Sequence, residues 1–224
     1  MHFEVPKAKK FKEFGGEYVM IVISILTALA LEAAVEKVHH DHLAHESAEQ
    51  IDTELRMNSA DVKKVLAHNE EKMKALMTAR EQMLSDLRAH VDDKAFMKRF
   101  DNEWNTAVNF SVRSPSLRRE AWEAAVASQA VTWMPRTSLE KYATSYAEMR
   151  DVSALFNGGP FNFLDVPRMQ DVFSNTQIGM GNPKEIFRTV TQMINAYGSL
   201  DGNLKSLQSD LEKVVAAPEH GQHG

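Results

Sequence analysis

The chain has 224 residues, of which 43% are hydrophobic and 25% charged, and its formal net charge is −5. This composition is typical of a folded protein, and the acidic balance argues against a general nucleic-acid binder. The sequence contains no cysteine, which excludes disulfides, thiolate metal sites and thiol catalysis. Twelve Met residues, with many Ala and Leu, favour helix over strand.

The N-terminal region contains a segment typical of a membrane anchor. Residues 18–31 (YVMIVISILTALAL) carry no charge, and residues 33–35 extend the apolar stretch beyond Glu32. Eighteen helical residues rise about 27 Å, slightly less than the roughly 30 Å of a hydrocarbon core. We therefore predict a transmembrane helix over residues 17–36, with the lipid bilayer as one partner and Glu32 close to an interface.

Two other interpretations of this segment stay open. Basic residues precede it and Ala28-Leu29-Ala30 fits a small-residue cleavage pattern, so a signal peptide cleaved after Ala30 is one alternative. Strong helix formers run through that pattern without a breaker, which favours an uncleaved anchor. The buried core helix of a soluble protein is the other alternative, although no second segment of the sequence is comparably apolar.

The lysine residues predict the orientation of the anchor. Four of them, at positions 7, 9, 10 and 12, precede the span, whereas only Lys37 follows it before Arg56. Because positive flanks stay in the cytoplasm, we expect residues 1–16 inside and residues 37–215 outside. This places the bulk of the chain in the periplasm, anchored in a bacterial inner membrane, with a flexible tail over residues 216–224.

Residues 33–91 contain neither Pro nor Gly, and apolar residues recur there at helical spacing. We predict that the anchor continues into one long amphipathic helix. Positions 51, 55, 58, 62, 65 and 69 form a seam with alternating steps of four and three, occupied by Asn at 58 and 69. This seam fits either of two structures. One is a coiled coil in which the buried Asn residues set the register, and the other is a stripe that packs on later helices of the same chain. The heptad drifts after Asn69, which favours the second alternative.

Caps and breakers divide the remainder into further helices. They are predicted over residues 93–105, 114–133, 139–156 and 183–215, with a looser segment over 161–182. Phe96, Phe100 and Trp104 share one face of the first, while Ser114 and Pro115 are the expected N-cap and first-turn residue of the second. Because no strand pattern appears, we expect an all-α fold. In it the transmembrane helix continues into the long amphipathic helix, which packs with the further helices in an extracytoplasmic bundle.

Two stretches of the chain resemble a known group of proteins. The first is Leu29–Glu46, which contains a His-His-x-His-Leu box directly after LALEAAVEKV, and the second is the AWEAA segment at residues 121–125, followed by Tyr142 and Tyr146. Both resemble uncharacterised bacterial single-pass membrane-anchored helical proteins. The resemblance implies an N-terminal anchor and a helical extracytoplasmic domain, and it implies no activity.

The densest group of candidate ligands follows the anchor directly. His39, His42 and Glu46 share a helical face within about 60°, and imidazoles with carboxylates suit a divalent metal such as zinc, iron or copper. One helix supplies only part of a ligand set, so a metal site here requires a second copy or a partner subunit. The alternatives are a polar collar at the membrane interface, which is the simplest interpretation, and a contact that responds to pH.

Three residues of the anchor are predicted partner contacts. Ala30 and Ala34 have the small-xxx-small spacing that lets transmembrane helices approach closely. Glu32 either reaches water at the rim of the membrane or meets a polar partner on another transmembrane helix.

The sequence contains no P-loop, nucleophile elbow, His-Glu-x-x-His motif or dinucleotide fingerprint. We therefore expect a non-enzymatic interaction protein, an accessory or scaffolding subunit of an inner-membrane assembly. Its expected partners are other membrane-protein subunits or a second copy of itself, and not nucleic acid. An extracytoplasmic sensor that binds a ligand or metal through the His/Glu face is the alternative, and an enzyme without a recognised motif comes third.

Overall fold

The computed structural model describes residues 11–108, 112–158 and 166–216. Every regular element in these ranges is helical, which confirms the all-α prediction. In chain order the elements are α1 (Phe11–Arg88), α2 (Asp93–Arg99), a π-helical turn (Phe100–Trp104), α3 (Asn105–Val108), α4 (Glu120–Ala127), a 3-10 turn (Ala130–Trp133), α5 (Arg136–Gly158), α6 (Val166–Gln177) and α7 (Pro183–Ala216).

Helix α1 contains both the apolar segment and the predicted amphipathic helix in one uninterrupted run of 78 residues. At 1.5 Å per residue it is about 117 Å long. The helix passes through Ala28-Leu29-Ala30 without a turn, and it ends close to the predicted position 91. Between residues 33 and 88 no Pro removes a backbone donor and no Gly loosens the chain, so nothing local interrupts the helix.

Two apolar clusters hold the shorter helices against α1. The proximal cluster, nearer the N-terminal apolar segment, joins α1 between Ala44 and Val65 to α4, α5 and the C-terminal half of α7. The distal cluster joins α1 between Leu76 and Met83 to α2, α3, α6 and the N-terminal half of α7. Helix α7 therefore runs antiparallel to α1 along the length of the bundle.

The distal cluster is built around the aromatic face predicted from the sequence. Phe96, Phe100 and Trp104 are each at most 1% exposed. The indole N–H of Trp104 donates a hydrogen bond to Gln82 of α1 at 2.7 Å, so the buried ring keeps its polar atom paired. The helix predicted over residues 93–105 is confirmed, with a π-helical turn in its middle and an end at Val108.

The seam on α1 packs on the chain's own later segments. Ile51, Leu55 and Val62 are fully buried, and Asn58 and Asn69 are at most 2% exposed. Both asparagine amides are hydrogen-bonded to backbone groups of residues 112–119. The same-chain stripe, rather than a coiled coil, is therefore what these residues form in the described bundle.

The prediction that a helix opens at Ser114-Pro115 and runs to Trp133 is wrong. Residues 112–119 form a non-helical segment, here called the strap, and α4 begins only at Glu120 and ends at Ala127. The Asn58 amide pairs with both backbone groups of Arg118, each at 2.9 Å, and the Asn69 amide pairs with both of Arg113 at 3.0 and 3.1 Å. Asn58 and Asn69 are eleven residues apart on a helix, a distance of about 16.5 Å along its axis. Arg113 and Arg118 are five residues apart on extended chain, which also spans about 16.5 Å, so each amide meets its own arginine. Side chains of α1 thus supply the bonds that a helix would have made within itself.

Smaller differences occur further along the chain. Helix α5 begins three residues before the predicted position 139, and α6 lies inside the stretch of 161–182 that was predicted to be loose. Helix α7 matches the predicted range 183–215, and its N-cap Asn182 accepts hydrogen bonds from the backbone of Lys184 and Glu185. Residues 1–10 of the predicted cytoplasmic segment, residues 159–165 and residues 217–224 of the predicted tail lie outside the described residues.

Candidate functional site

The N-terminal part of α1 stands clear of the bundle. Of the described residues, this helix is the only one long and apolar enough to cross a membrane, and none of its most apolar 18-residue window is buried. All three predicted partner-contact residues, Ala30, Glu32 and Ala34, are exposed. At 100° per residue Ala30 and Ala34 lie about 40° apart, whereas Glu32 lies about 160° from each. One partner helix can therefore contact the alanine face or the glutamate face, but not both.

Helix α1 enters the bundle between His40 and Ser47. The His40 ring stacks on the ring of Trp133 from the 3-10 turn, with centroids 3.8 Å apart and planes inclined by 8°. Ala44 and Ser47, which follow on the same side of the helix, are buried in the proximal end of the bundle. The change from a bare helix to a packed one thus occurs within about two turns.

The predicted metal ligands lie on a different side of this junction. His39, His42 and Glu46 are all exposed, about 135° around the helix from the side that carries Ala44 and Ser47. Among the residues that the structure describes, no three or more His, Asp or Glu side chains are grouped so as to hold a metal ion. A divalent metal at His39, His42 and Glu46 stays a prediction that requires ligands from another chain. The neighbouring His45 pairs with Glu49 at 3.4 Å, an arrangement that fits the polar collar.

A buried carboxylate, Glu54, lies about two turns of α1 beyond Ser47. Glu54 is 7% exposed and accepts two hydrogen bonds, one from the Tyr146 hydroxyl of α5 at 2.5 Å and one from the backbone N–H of Ala121 in α4 at 3.0 Å. Burial, together with the hydrogen bond to Glu54, raises the pKa of Tyr146 above its usual range. The phenol therefore stays protonated and keeps donating. This arrangement fixes α4 and α5 to α1 through one side chain.

The aromatic residues of the second resemblance motif belong to the proximal cluster, and Tyr146 joins them to this carboxylate. The Trp122 ring stacks on Tyr146 with centroids 5.3 Å apart and planes inclined by 18°. Ala125 and Tyr142 are buried at 2% and 3% exposure, in the same proximal cluster. In this bundle the AWEAA segment and the two tyrosines therefore act as packing residues of the proximal cluster.

An open groove of about 410 Å³ lies beside Glu54. It is lined by Glu49, Gln50, Thr53, Glu54, Met57, Arg118 and Ala121. The lining carries two carboxylates and one guanidinium, so its charge does not favour an anion. The other arginines near α4 pair on the surface: Arg119 with Glu123 at 3.4 Å and Arg136 with Glu140 at 2.7 Å. Such exposed pairs contribute little to stability.

Two features of this region did not emerge from the sequence. Glu54 lies three residues after Ile51 and four before Asn58, which places it on the buried side of α1. A carboxylate at this helical spacing is the sequence signal that indicates a buried acidic residue. The stacking of His40 on Trp133 joins residues 93 positions apart, and no local pattern indicates it.

Comparison of the chain with protein-family models, with curated proteins and with solved structures finds no match. The geometry of α1 and of the bundle is therefore what bears on function.

Proposed function

We propose that the protein is a non-enzymatic, membrane-anchored interaction protein, an accessory or scaffolding subunit of a bacterial inner-membrane assembly. In this proposal the N-terminus is cytoplasmic, the apolar part of α1 crosses the membrane once, and the bundle lies in the periplasm. The observation that carries the proposal is the bare apolar surface on the N-terminal part of α1.

Eleven large apolar side chains between Tyr18 and Val38 are more than half exposed, although the rest of the chain buries its own apolar stripe. At about 1.5–3 kcal/mol for each side chain removed from water, covering them is worth on the order of 15 kcal/mol or more. A soluble monomer forgoes that free energy. A bilayer supplies it without any change in the bundle, and the length of the apolar run suits a span.

The lack of a linker supports a role in assembly. Helix α1 runs from the apolar segment into the proximal cluster without interruption. The bundle is therefore held in a fixed relation to the anchor helix, and a partner that binds the anchor also positions the bundle. A scaffolding subunit requires this rigid connection, whereas a tethered soluble domain does not.

The anchor offers two faces for a partner. The alanine face, Ala30 and Ala34, permits close contact between helices because their side chains are small. The glutamate face presents a carboxylate near the edge of the span, where a polar or basic partner group would relieve its desolvation. Ala28 lies about 40° from Glu32 and about 160° from Ala30, so it belongs to the glutamate face.

Purification of the full chain from native membranes in mild detergent tests the proposal. We expect a particle larger than a single 25.3 kDa chain in its micelle. The double variant Ala30→Leu/Ala34→Leu should dissociate it if the alanine face is used, with Ala28→Leu as the matched control on the opposite face. If Ala28→Leu and Glu32→Gln dissociate it instead, the glutamate face is used. A monomer from the unmodified chain would overturn the proposal.

A second candidate function is an extracytoplasmic sensor or metal carrier. It is favoured by the exposure of His39, His42 and Glu46 on the side of α1 that the bundle does not use. Metal analysis of the purified full chain, compared with His39→Ala/His42→Ala, decides it. His45→Ala serves as the control, because it removes an imidazole from the same turn and leaves the three candidate ligands intact. Equal and near-zero metal in all three proteins would exclude this candidate.

A further inference from the structure

Trp133 is an exposed aromatic residue at the membrane-proximal end of the bundle. Its side chain is 49% exposed, whereas Trp104 is 1% exposed and Trp122 is packed on Tyr146. Trp133 ends the 3-10 turn that connects α4 to α5, and its ring lies face to face with His40 of α1. The stack holds the indole against α1 at a fixed level along the helix axis.

That level corresponds to the headgroup layer of a bilayer. From the end of the predicted span at residue 36 to His40 is four residues, a rise of about 6 Å. The headgroup layer on each side of a bilayer is roughly 5–7 Å thick, the difference between a total of about 40–45 Å and a core of about 30 Å. Because α1 is unbroken between these positions, His40 and Trp133 lie at this height whenever the anchor spans the membrane.

The chemistry of the side chain fits this location. Tryptophan is enriched at membrane interfaces because its ring is largely apolar while its N–H seeks a polar partner. In water an exposed indole N–H finds a hydrogen-bond partner, but the apolar ring gains nothing, whereas the headgroup layer accommodates both. The lipid surface is also continuous with the apolar face of α1, which ends only a few residues before His40.

We propose that Trp133 is a second membrane contact, which seats the proximal end of the bundle in the lipid headgroup layer. The transmembrane helix alone leaves the chain free to rotate about its axis and to change its tilt. A second contact, offset from the axis and stacked on His40, fixes both. This inference rests on the proposed membrane anchorage.

Depth-dependent fluorescence quenching of the full chain in phosphatidylcholine liposomes tests the inference. Flotation comes first: a chain that does not float with the liposomes contradicts the anchorage itself. For a chain that floats, the emission lost on Trp133→Phe is the contribution of Trp133, obtained without altering the buried core. We expect most of that component to be quenched by lipids brominated near the headgroup, and little of it by aqueous iodide.

A matched control places an indole far from the membrane. Met77 is 51% exposed and lies 37 residues beyond His40 on α1, about 55 Å along the axis. In the Trp133→Phe background, Met77→Trp should add emission that iodide quenches and brominated lipid does not. Floating chains whose Trp133 component behaves like this control would overturn the inference while leaving the anchorage intact. A component quenched by neither agent would also overturn it, and would indicate that another copy of the chain covers the ring.

Discussion

Replacement of Asn58 by leucine distinguishes the same-chain strap from a coiled-coil seam. In the strap, Asn58→Leu removes two hydrogen bonds to the backbone of Arg118, as well as a weak one to the Met149 sulfur, and leaves the N–H and C=O of Arg118 without their partner. Each lost bond costs about 0.5–1.5 kcal/mol, and an unpaired buried group costs more. The added apolar surface of leucine returns about 1 kcal/mol. We therefore expect Asn58→Leu to lower the free energy of unfolding by about 2–3 kcal/mol. In a coiled coil the same substitution should raise the free energy of unfolding, because a buried asparagine destabilises the seam and leucine stabilises it.

Urea unfolding of the full chain in mild detergent, followed by tryptophan fluorescence, measures this change. With a slope of about 2 kcal/mol per molar urea, the expected loss lowers the midpoint by about 1–1.5 M. Lys63→Leu, at an exposed position of α1, is the control and should shift stability by less than about 0.5 kcal/mol. A midpoint for Asn58→Leu at or above that of the unmodified chain would refute the strap as a stabilising element.

Three further changes test the packing of the bundle. Tyr146→Phe removes the hydrogen bond to the buried Glu54 and should cost about 1.5–3 kcal/mol in the same urea titration, while Phe keeps the stacking on Trp122. Met83→Ala leaves a cavity at a fully buried site in the distal cluster and should lower the free energy of unfolding by about 2–5 kcal/mol. A urea midpoint equal to that of the unmodified chain would show that the distal helices do not pack there. Burial raises the pKa of Tyr197 from 10.0 to about 12. The unfolded chain then loses this proton first, so the contribution of Tyr197 to stability should be constant below pH 10 and be lost towards pH 12. The difference in unfolding free energy between the unmodified chain and Tyr197→Phe should therefore change over that window, and a difference that stays constant from about pH 9 to pH 12 would contradict this assignment.

The course of α1 could be predicted from the sequence because its signals are local. A long stretch without Pro or Gly, with apolar residues at helical spacing, forms a helix whatever packs on it. The seam at 51, 55, 58, 62, 65 and 69 also emerged correctly, and all its positions are buried. The aromatic face of Phe96, Phe100 and Trp104 followed from the same periodicity.

The strap could not be predicted in this way. Ser114 and Pro115 form a local pattern that is typical of a helix start. The backbone on either side of them is bound by asparagines of α1, which lie 44 residues before Arg113 and 60 residues before Arg118. Side-chain bonds from a distant helix overrode the local preference, which is the usual limit of a single sequence. The buried position of Glu54 has the same origin, since its partners Ala121 and Tyr146 are far away in sequence.

The candidate site was predicted as a list of residues but not as a geometry. His39, His42 and Glu46 do share an exposed face, and Ala30 and Ala34 share another. Glu32 lies about 160° around the helix from both alanines, so the three predicted partner contacts do not form one face. The contact between His40 and Trp133 required the bundle to bring the 3-10 turn back to the start of the packed part of α1.

Photo-cross-linking in native membranes tests the proposed interaction role most directly. A photoreactive amino acid is placed at Ala30 on one face of the anchor and, separately, at Glu32 on the opposite face. We predict that at least one position gives a protein adduct larger than the 25.3 kDa chain, either with another membrane subunit or with a second copy. Adducts with lipid alone at both positions would contradict the account, because an anchor surrounded only by lipid has no partner to scaffold.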